Sequence, residues 1–336
     1  MHEWAAQAAR QYHAPLEAAE VFSAVEGERC RVYGSKAARW WAAEGVEIHP
    51  KRQNETADAV KSCVRYIHML FPFCNTTVLT SATISDKTIG AAREKCGYFL
   101  DTLGYHVIGH VSEPKVSPFG YESNTILYVS NKLPYPNLSN RKIYREQSIA
   151  EILRLLSVTH GKTLILFTAK EDMEYVYKKL VNLHLPYRII VQGKSSSQAH
   201  KLGRFRDETD SVLLGTGTYW EGINIEGESL SQVIIFKLPF PVPDPIIDYK
   251  MSLSKDPIME VAVPEMIIKL KQGAGRLIRC ATDKGIVSIL DPRVSMASET
   301  RYKGKVLDAL PEKNRTENID DLNAFWYKVN TEKETI

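Results

Sequence analysis

The feature that most constrains this chain is an alternation that begins near residue 125. Short runs rich in Val, Ile and Leu fall at 125–129, 163–168, 187–192, 211–214, 232–236 and 285–290. Helical segments at 143–156, 171–180, 196–205 and 264–279 lie among them. Near-continuous apolar strands are buried on both faces, and strands joined through helices run parallel. The pattern predicts an α/β fold, a parallel sheet with helices on both faces, whose ligands sit beyond the carboxyl ends of the strands.

The upstream part reads differently. Residues 1–28 are predicted helical and 29–50 a short hairpin. Ala57, Val60, Val64, Ile67 and Leu70 mark an amphipathic helix over 54–70. A strand is predicted at 76–80 and a helix at 86–100. Pro114, Pro118 and Gly120 make 111–122 a linker. The expected organisation is a partial, mainly helical segment over 1–110, the linker, and an α/β domain over 123–336. A length of 336 residues agrees with about two domains.

Composition narrows the function classes. Hydrophobic residues at 44% and charged residues at 25% exclude a disordered or fibrous chain. With 43 basic and 40 acidic residues the net charge is +3, too small for a global pull toward nucleic acid, so such binding requires a local basic groove. Cys30, Cys63, Cys74, Cys96 and Cys280 are too widely spaced for a zinc site and suit free thiols in a reducing compartment. The residues after Met1 do not read as a secretory leader, and no run approaches the ~18 apolar residues of a membrane span. The expectation is a cytoplasmic protein with no resident metal and no membrane partner.

Three segments carry candidate chemistry. In 272–279, a continuous helix would place Gln272, Arg276 and Arg279 on one stripe, opposite Met266, Ile267, Leu270, Leu277 and Ile278. Two guanidiniums side by side are suited to phosphate oxygens. The second segment, Gly215 to Asn224, follows a strand and holds Thr216, Gly217, Trp220, Glu221 and Gly222. Its glycines permit close backbone approach to a ligand. Trp220 has two readings, a base-stacking platform or a core residue beneath the loop. The third is Thr80-Ser81-Ala82-Thr83, small residues at the end of a strand. Gly161-Lys162-Thr163 imitates a phosphate-binding loop, but Leu156 stands where that loop needs Gly and a strand follows, so it reads as a turn.

In this order, together with Leu166–Thr168, Lys237–Phe240, Ile289–Arg293 and Leu310-Pro311, these motifs resemble the DinG/XPD-type superfamily 2 helicases, most nearly the bacterial DinG branch. The resemblance covers about residues 70–312. It implies a RecA-like second motor domain working with ATP and Mg²⁺ on single-stranded or forked DNA. By resemblance, Arg276 and Arg279 reach the γ-phosphate and Gln272 senses the nucleotide. Gly217, Glu221, Gly222 and Asn224 border the nucleotide and couple it to strand movement. Thr168, Thr216, Gly217 and Trp220 contact the nucleic acid, and Thr80, Ser81, Ala82 and Thr83 form the third motif. The family usually has Asp where Asn224 stands. Its phosphate-binding loop, acidic Mg²⁺ box and iron–sulfur cysteines precede the third motif and are not in this sequence. The expectation is the C-terminal motor portion of a DNA helicase, alone not competent for ATP hydrolysis, with helicase domain 1 supplied in the same or a separate chain. The alternatives are a non-catalytic nucleic-acid-binding module and one subunit of a split helicase.

Overall fold

The computed structural model describes residues 83–87, 89–102, 110–114, 117, 119–193, 198–208, 210–220 and 230–331. The expectations for 1–82, including Thr80, Ser81 and Ala82, lie outside these residues, as do Glu221, Gly222 and Asn224. The chain divides into two compact units, Met1–Pro114 with Pro241–Pro264, and Lys115–Phe240 with Glu265–Ile336.

In the first unit, the single helix expected over 86–100 is two short ones, Ala92–Lys95 and Gly97–Thr102. Gly90 has φ +113° and turns the chain before a helix can start nearer Asp86. Gly97 sits at the break between the two, where its low helix propensity favours interruption. Cys96, Phe99 and Leu100 form the small core, with Ile84 and Val111 against it. A helix at Pro245–Leu253, which the periodicity did not indicate, is capped by Asp244, whose carboxylate accepts from Ile246 N at 2.9 Å and Ile247 N at 2.8 Å.

The second unit carries the sheet. Its strands are β1 (Thr125–Val129), β2 (Thr163–Leu166), β3 (Arg188–Val191), β4 (Ser211–Gly215), β5 (Gln232–Ile235), β6 (Gly285–Ile289) and β7 (Arg315–Thr316). They lie in the order β3-β4-β2-β5-β6-β1-β7, and every pairing is parallel. Six were legible as apolar runs; β7 has two residues and no such run. The helices are α1 (Arg141–Thr159), α2 (Lys170–Asn182), α3 (Gln198–Asp207), α4 (Val263–Ala274), α5 (Lys303–Ala309) and α6 (Ile319–Thr331).

Side-chain alternation along the strands sorts the helices onto two faces. Ile126, Tyr128, Ile165, Phe167, Val212, Leu214 and Ile234 share one buried cluster with Ile152 and Leu155 of α1, Met173 and Val176 of α2, and Leu322 of α6. Leu166 points the opposite way and lies beneath α4, where a Cβ on Gly273 would sit 3.1 Å from its Cδ1. The architecture is a parallel sheet with helices on both faces, as the alternation predicts.

The Gly161-Lys162-Thr163 segment is a turn. α1 ends in three successive left-handed residues, His160 (φ 52°), Gly161 (φ 81°) and Lys162 (φ 47°), and Gly161 N donates to Leu156 O at 3.2 Å. Thr163 then opens β2, its hydroxyl on Gly161 O at 2.5 Å and Gln232 Oε1 at 3.1 Å.

Candidate functional site

The expected helix over 264–279 stops at Ala274. Gly273 and Gly275 weaken the last turn, and i→i+3 bonds tighten it: Arg276 N donates to Gly273 O at 3.2 Å and Leu277 N to Ala274 O at 3.1 Å. Arg276 and Arg279 therefore sit on the turn after α4, and the helical stripe with Gln272 does not form. Other contacts still bring Arg276 back over α4. Its Nε donates to Trp220 O at 3.0 Å and Gln272 O at 3.2 Å. Arg279 is held through its backbone, whose N–H donates to Asp283 Oδ2 at 2.7 Å; Cys280 N meets the same oxygen at 2.9 Å.

The two guanidiniums lie close enough to influence each other. Burial, and then the charge of Arg279, draw the Arg276 pKa down from 12.5 to about 10. Arg276 remains a cation at neutral pH, but a costly one. An anion placed beside it offsets both lost hydration and like-charge repulsion.

The hydroxyl residues lie at the carboxyl edge. Thr216 directly follows β4 and Thr168 is two residues past β2, and these strands pair with Leu166 opposite Gly215. Gln192, at the end of β3, fixes Thr216: its Oε1 accepts from Thr216 N at 2.6 Å and from Thr216 Oγ1 at 3.2 Å. Gly217 is exposed with φ 49°, and the space a Cβ would fill is open. Gly217–Trp220 then form one 3₁₀ turn.

Trp220 is fully enclosed, and its Nε1 donates to Phe167 O at 2.9 Å. Of its two readings the position matches the core residue. No face of the ring is open to a base, which corrects its assignment as a nucleic-acid contact. Thr83, the one described residue of the third motif, lies half-buried in a turn of the first unit.

Two further clusters support the edge. Asp291, fully buried, accepts from Leu238 N at 3.0 Å and from Arg293 Nε and Nη2 at 2.9 and 2.6 Å, and so ties the Ile289–Arg293 run to the Lys237–Phe240 run. Arg293 in turn stacks over Phe240 with its Cζ 4.9 Å from the ring centroid. Asp172 joins three elements through Arg145 Nε at 2.7 Å and Lys237 Nζ at 2.6 Å. Burial works against its ionisation, but Lys237 and then Arg145 outweigh burial and hold its carboxyl below the usual range. The positioning residues Gln192, Asp283 and Asp172 were not read from the sequence. Of these, Asp283, four residues after Arg279, had a spacing that pointed to it.

A seven-stranded parallel sheet thus carries two arginines on the turn after α4 and threonine-bearing loops at its carboxyl edge. Residues 152–313 match the family described as Helicase C-terminal domain. Over that segment, just under half of its length, the chain carries a helicase C-terminal domain of the DinG/XPD type. It is 36% identical over 219 residues to the "ATP-dependent DNA helicase YoaA" of Haemophilus influenzae, covering 62% of this chain and 32% of that protein. It is 30% identical over 260 residues to the "3'-5' exonuclease DinG" of Bacillus subtilis, covering 75% and 27%. A solved XPD helicase aligns with TM-score 0.45 and 21% identity over 57% of this chain and 35% of that one. The chain thus spans about a third of the length of the curated relatives it matches. Among the described residues no helix is long and apolar enough to cross a membrane, and no group of three or more His, Cys, Asp and Glu is placed to hold a metal ion.

Proposed function

We propose that this chain is the second motor portion of an ATP-dependent DNA helicase. Arg276 and Arg279 supply positive charge to the terminal phosphoryl group of an ATP molecule held by a phosphate-binding half outside these 336 residues. Gln272, at the end of α4, reads the presence of that nucleotide. Thr168, Thr216 and Gly217 line the backbone of a single strand of DNA. Glu221, Gly222 and Asn224 couple the two events, and Thr80–Thr83 take part in that coupling. Mg²⁺ is held by the other half. The observation that carries this reading is the pair of guanidiniums on one braced turn, one of them desolvated. Charge developing on a transferring phosphoryl group is what such a pair stabilises.

Two assays on the purified chain test the proposal. DNA-stimulated ATP hydrolysis should be absent, and clear turnover abolished by Arg276→Ala would refute the division of labour. Labelled oligo-dT should bind at low salt and weaken linearly in log affinity against log salt through counterion release. No binding at low salt, or binding indifferent to salt, would refute the DNA track.

A further inference from the structure

Trp220 stands where three segments meet. Its Nε1 donates to Phe167 O at 2.9 Å, just past β2, and its own carbonyl accepts from Arg276 Nε at 3.0 Å, on the turn after α4. Phe167 N donates to Gly215 O, the last residue of β4, at 2.9 Å. Thr168 follows Phe167 and Thr216 follows Gly215. The two edge threonines are therefore each one residue from a chain of bonds that begins at the guanidinium of Arg276.

The ring is also trapped sterically. A Cβ on Gly273 would lie 2.7 Å from Cε3 of the indole, so α4 and the ring are already in full contact. Lys269 Nζ lies 5.6 Å from the ring centroid. Leaving a buried donor or acceptor unmatched costs about 1–3 kcal/mol. The indole can neither move toward α4 nor leave its place without disturbing both Phe167 and Arg276.

We infer that Trp220 is a positioning residue that carries displacements of Arg276 to the loops bearing Thr168 and Thr216. The guanidinium and the edge threonines then move as one body. The inference rests on the proposed function above, in which Arg276 meets the nucleotide and the threonines meet the strand. The mechanical link itself can be measured without either ligand.

Two substitutions cut the two links separately. Arg276→Ala removes the bond to the Trp220 carbonyl. Trp220→Phe retains that carbonyl and most of the ring but removes Nε1–H. The first readout is amide hydrogen exchange at residues 167–168 and 215–217 of the purified chain. Arg276→Ala is expected to speed exchange there about fivefold, which corresponds to the roughly 1 kcal/mol of one hydrogen bond. Exchange in β1 and β6 should not change, whereas a general loss of stability would move it. In the Trp220→Phe background Arg276→Ala should have no further effect. Arg276→Lys, which keeps the charge and lacks the Nε donor, should loosen the same residues and does not depend on the Trp220 variant folding.

The second readout is affinity for labelled oligo-dT at low salt, expected to fall about fivefold in Arg276→Ala and to lose that dependence in Trp220→Phe. Faster exchange confined to 272–279, equal effects in both backgrounds, or full recovery by Lys would overturn the inference. If the link is found but the wild-type chain binds no oligo-dT, the helicase reading fails and the positioning role stands. If oligo-dT binds and the link is missing, the inference fails and the reading stands.

Discussion

Replacing Glu312 by Gln should stabilise this protein at alkaline pH far more than at acid pH. Glu312 lies between Pro311 and Lys313 in the segment before β7, and it is fully buried. Neither carboxylate oxygen has a hydrogen-bond partner among the described residues. Burial pushes its pKa up from 4.5 to about 7; its own backbone N–H, Lys313 and Arg315 pull the other way without cancelling burial. A carboxyl whose folded pKa is raised binds its proton more tightly in the folded chain. Stability is therefore greatest below the unfolded value of 4.5 and is lost as pH rises through about 7. At about 1.36 kcal/mol per pKa unit the whole loss is about 3 kcal/mol, of which about 2 kcal/mol falls between pH 5.5 and 8.5. The amide of Gln resembles the protonated acid in shape and carries no titrating proton. Thermal unfolding followed by circular dichroism at the two pH values measures the difference. At about 2–4 °C per kcal/mol for a unit of this size, the gain in Tm should be about 4–8 °C larger at pH 8.5 than at pH 5.5. Equal gains at both values would refute the reasoning, because they would mean that the carboxylate does not titrate in the folded chain over this range.

Asp172→Asn removes a buried anion that Arg141, Arg145 and Lys237 share and should cost about 3–5 kcal/mol in urea unfolding at pH 7. Because the Asp172 carboxyl is held below its ordinary value of 3.8, its contribution is present above that value and is lost as pH falls through the lowered one, so the penalty should fade toward acid pH. Gly273→Ala forces a methyl group onto the indole of Trp220 and should destabilise by about 1–3 kcal/mol, despite the better helix propensity of Ala. Gln192→Ala releases Thr216 N and Oγ1 together and should weaken oligo-dT binding severalfold with little change in Tm; an unchanged affinity would separate Thr216 from the DNA track.

The fold was legible because its main signal is local. Val, Ile and Leu runs between helical segments name a parallel sheet, and six of the seven strands coincide with those runs to within two residues. β7 and α6 were missed for different reasons. β7 contains two residues, held by pairing of Arg315 and Thr316 with β1, and no periodicity can announce it. In α6, Leu322 completes a core that α1 and the sheet have already shaped, a contact remote in sequence.

The site was legible in its parts and not in its geometry. The motif order marked Arg276, Arg279, Thr168 and Thr216, and the match of residues 152–313 supports the family. The extrapolated helical stripe failed because the two glycines end α4 at Ala274, and Arg276 reaches Gln272 through its carbonyl instead of sharing a face with it. Trp220 was undecidable from composition, since a tryptophan after a strand serves equally beneath a loop or upon it.

By itself, then, the sequence determined the class of fold, the family and the identity of the charged and hydroxyl residues at the edge of the sheet, because periodicity and motif order are properties of neighbours along the chain. Only the tertiary structure decided that Trp220 is interior, that Glu312 is a carboxylate buried without a hydrogen-bond partner among the described residues, and that Arg276 is tied through Trp220 to the threonine loops. Those properties depend on which surfaces lose water and which donors meet which acceptors across many residues of separation, and both are settled only when the elements pack.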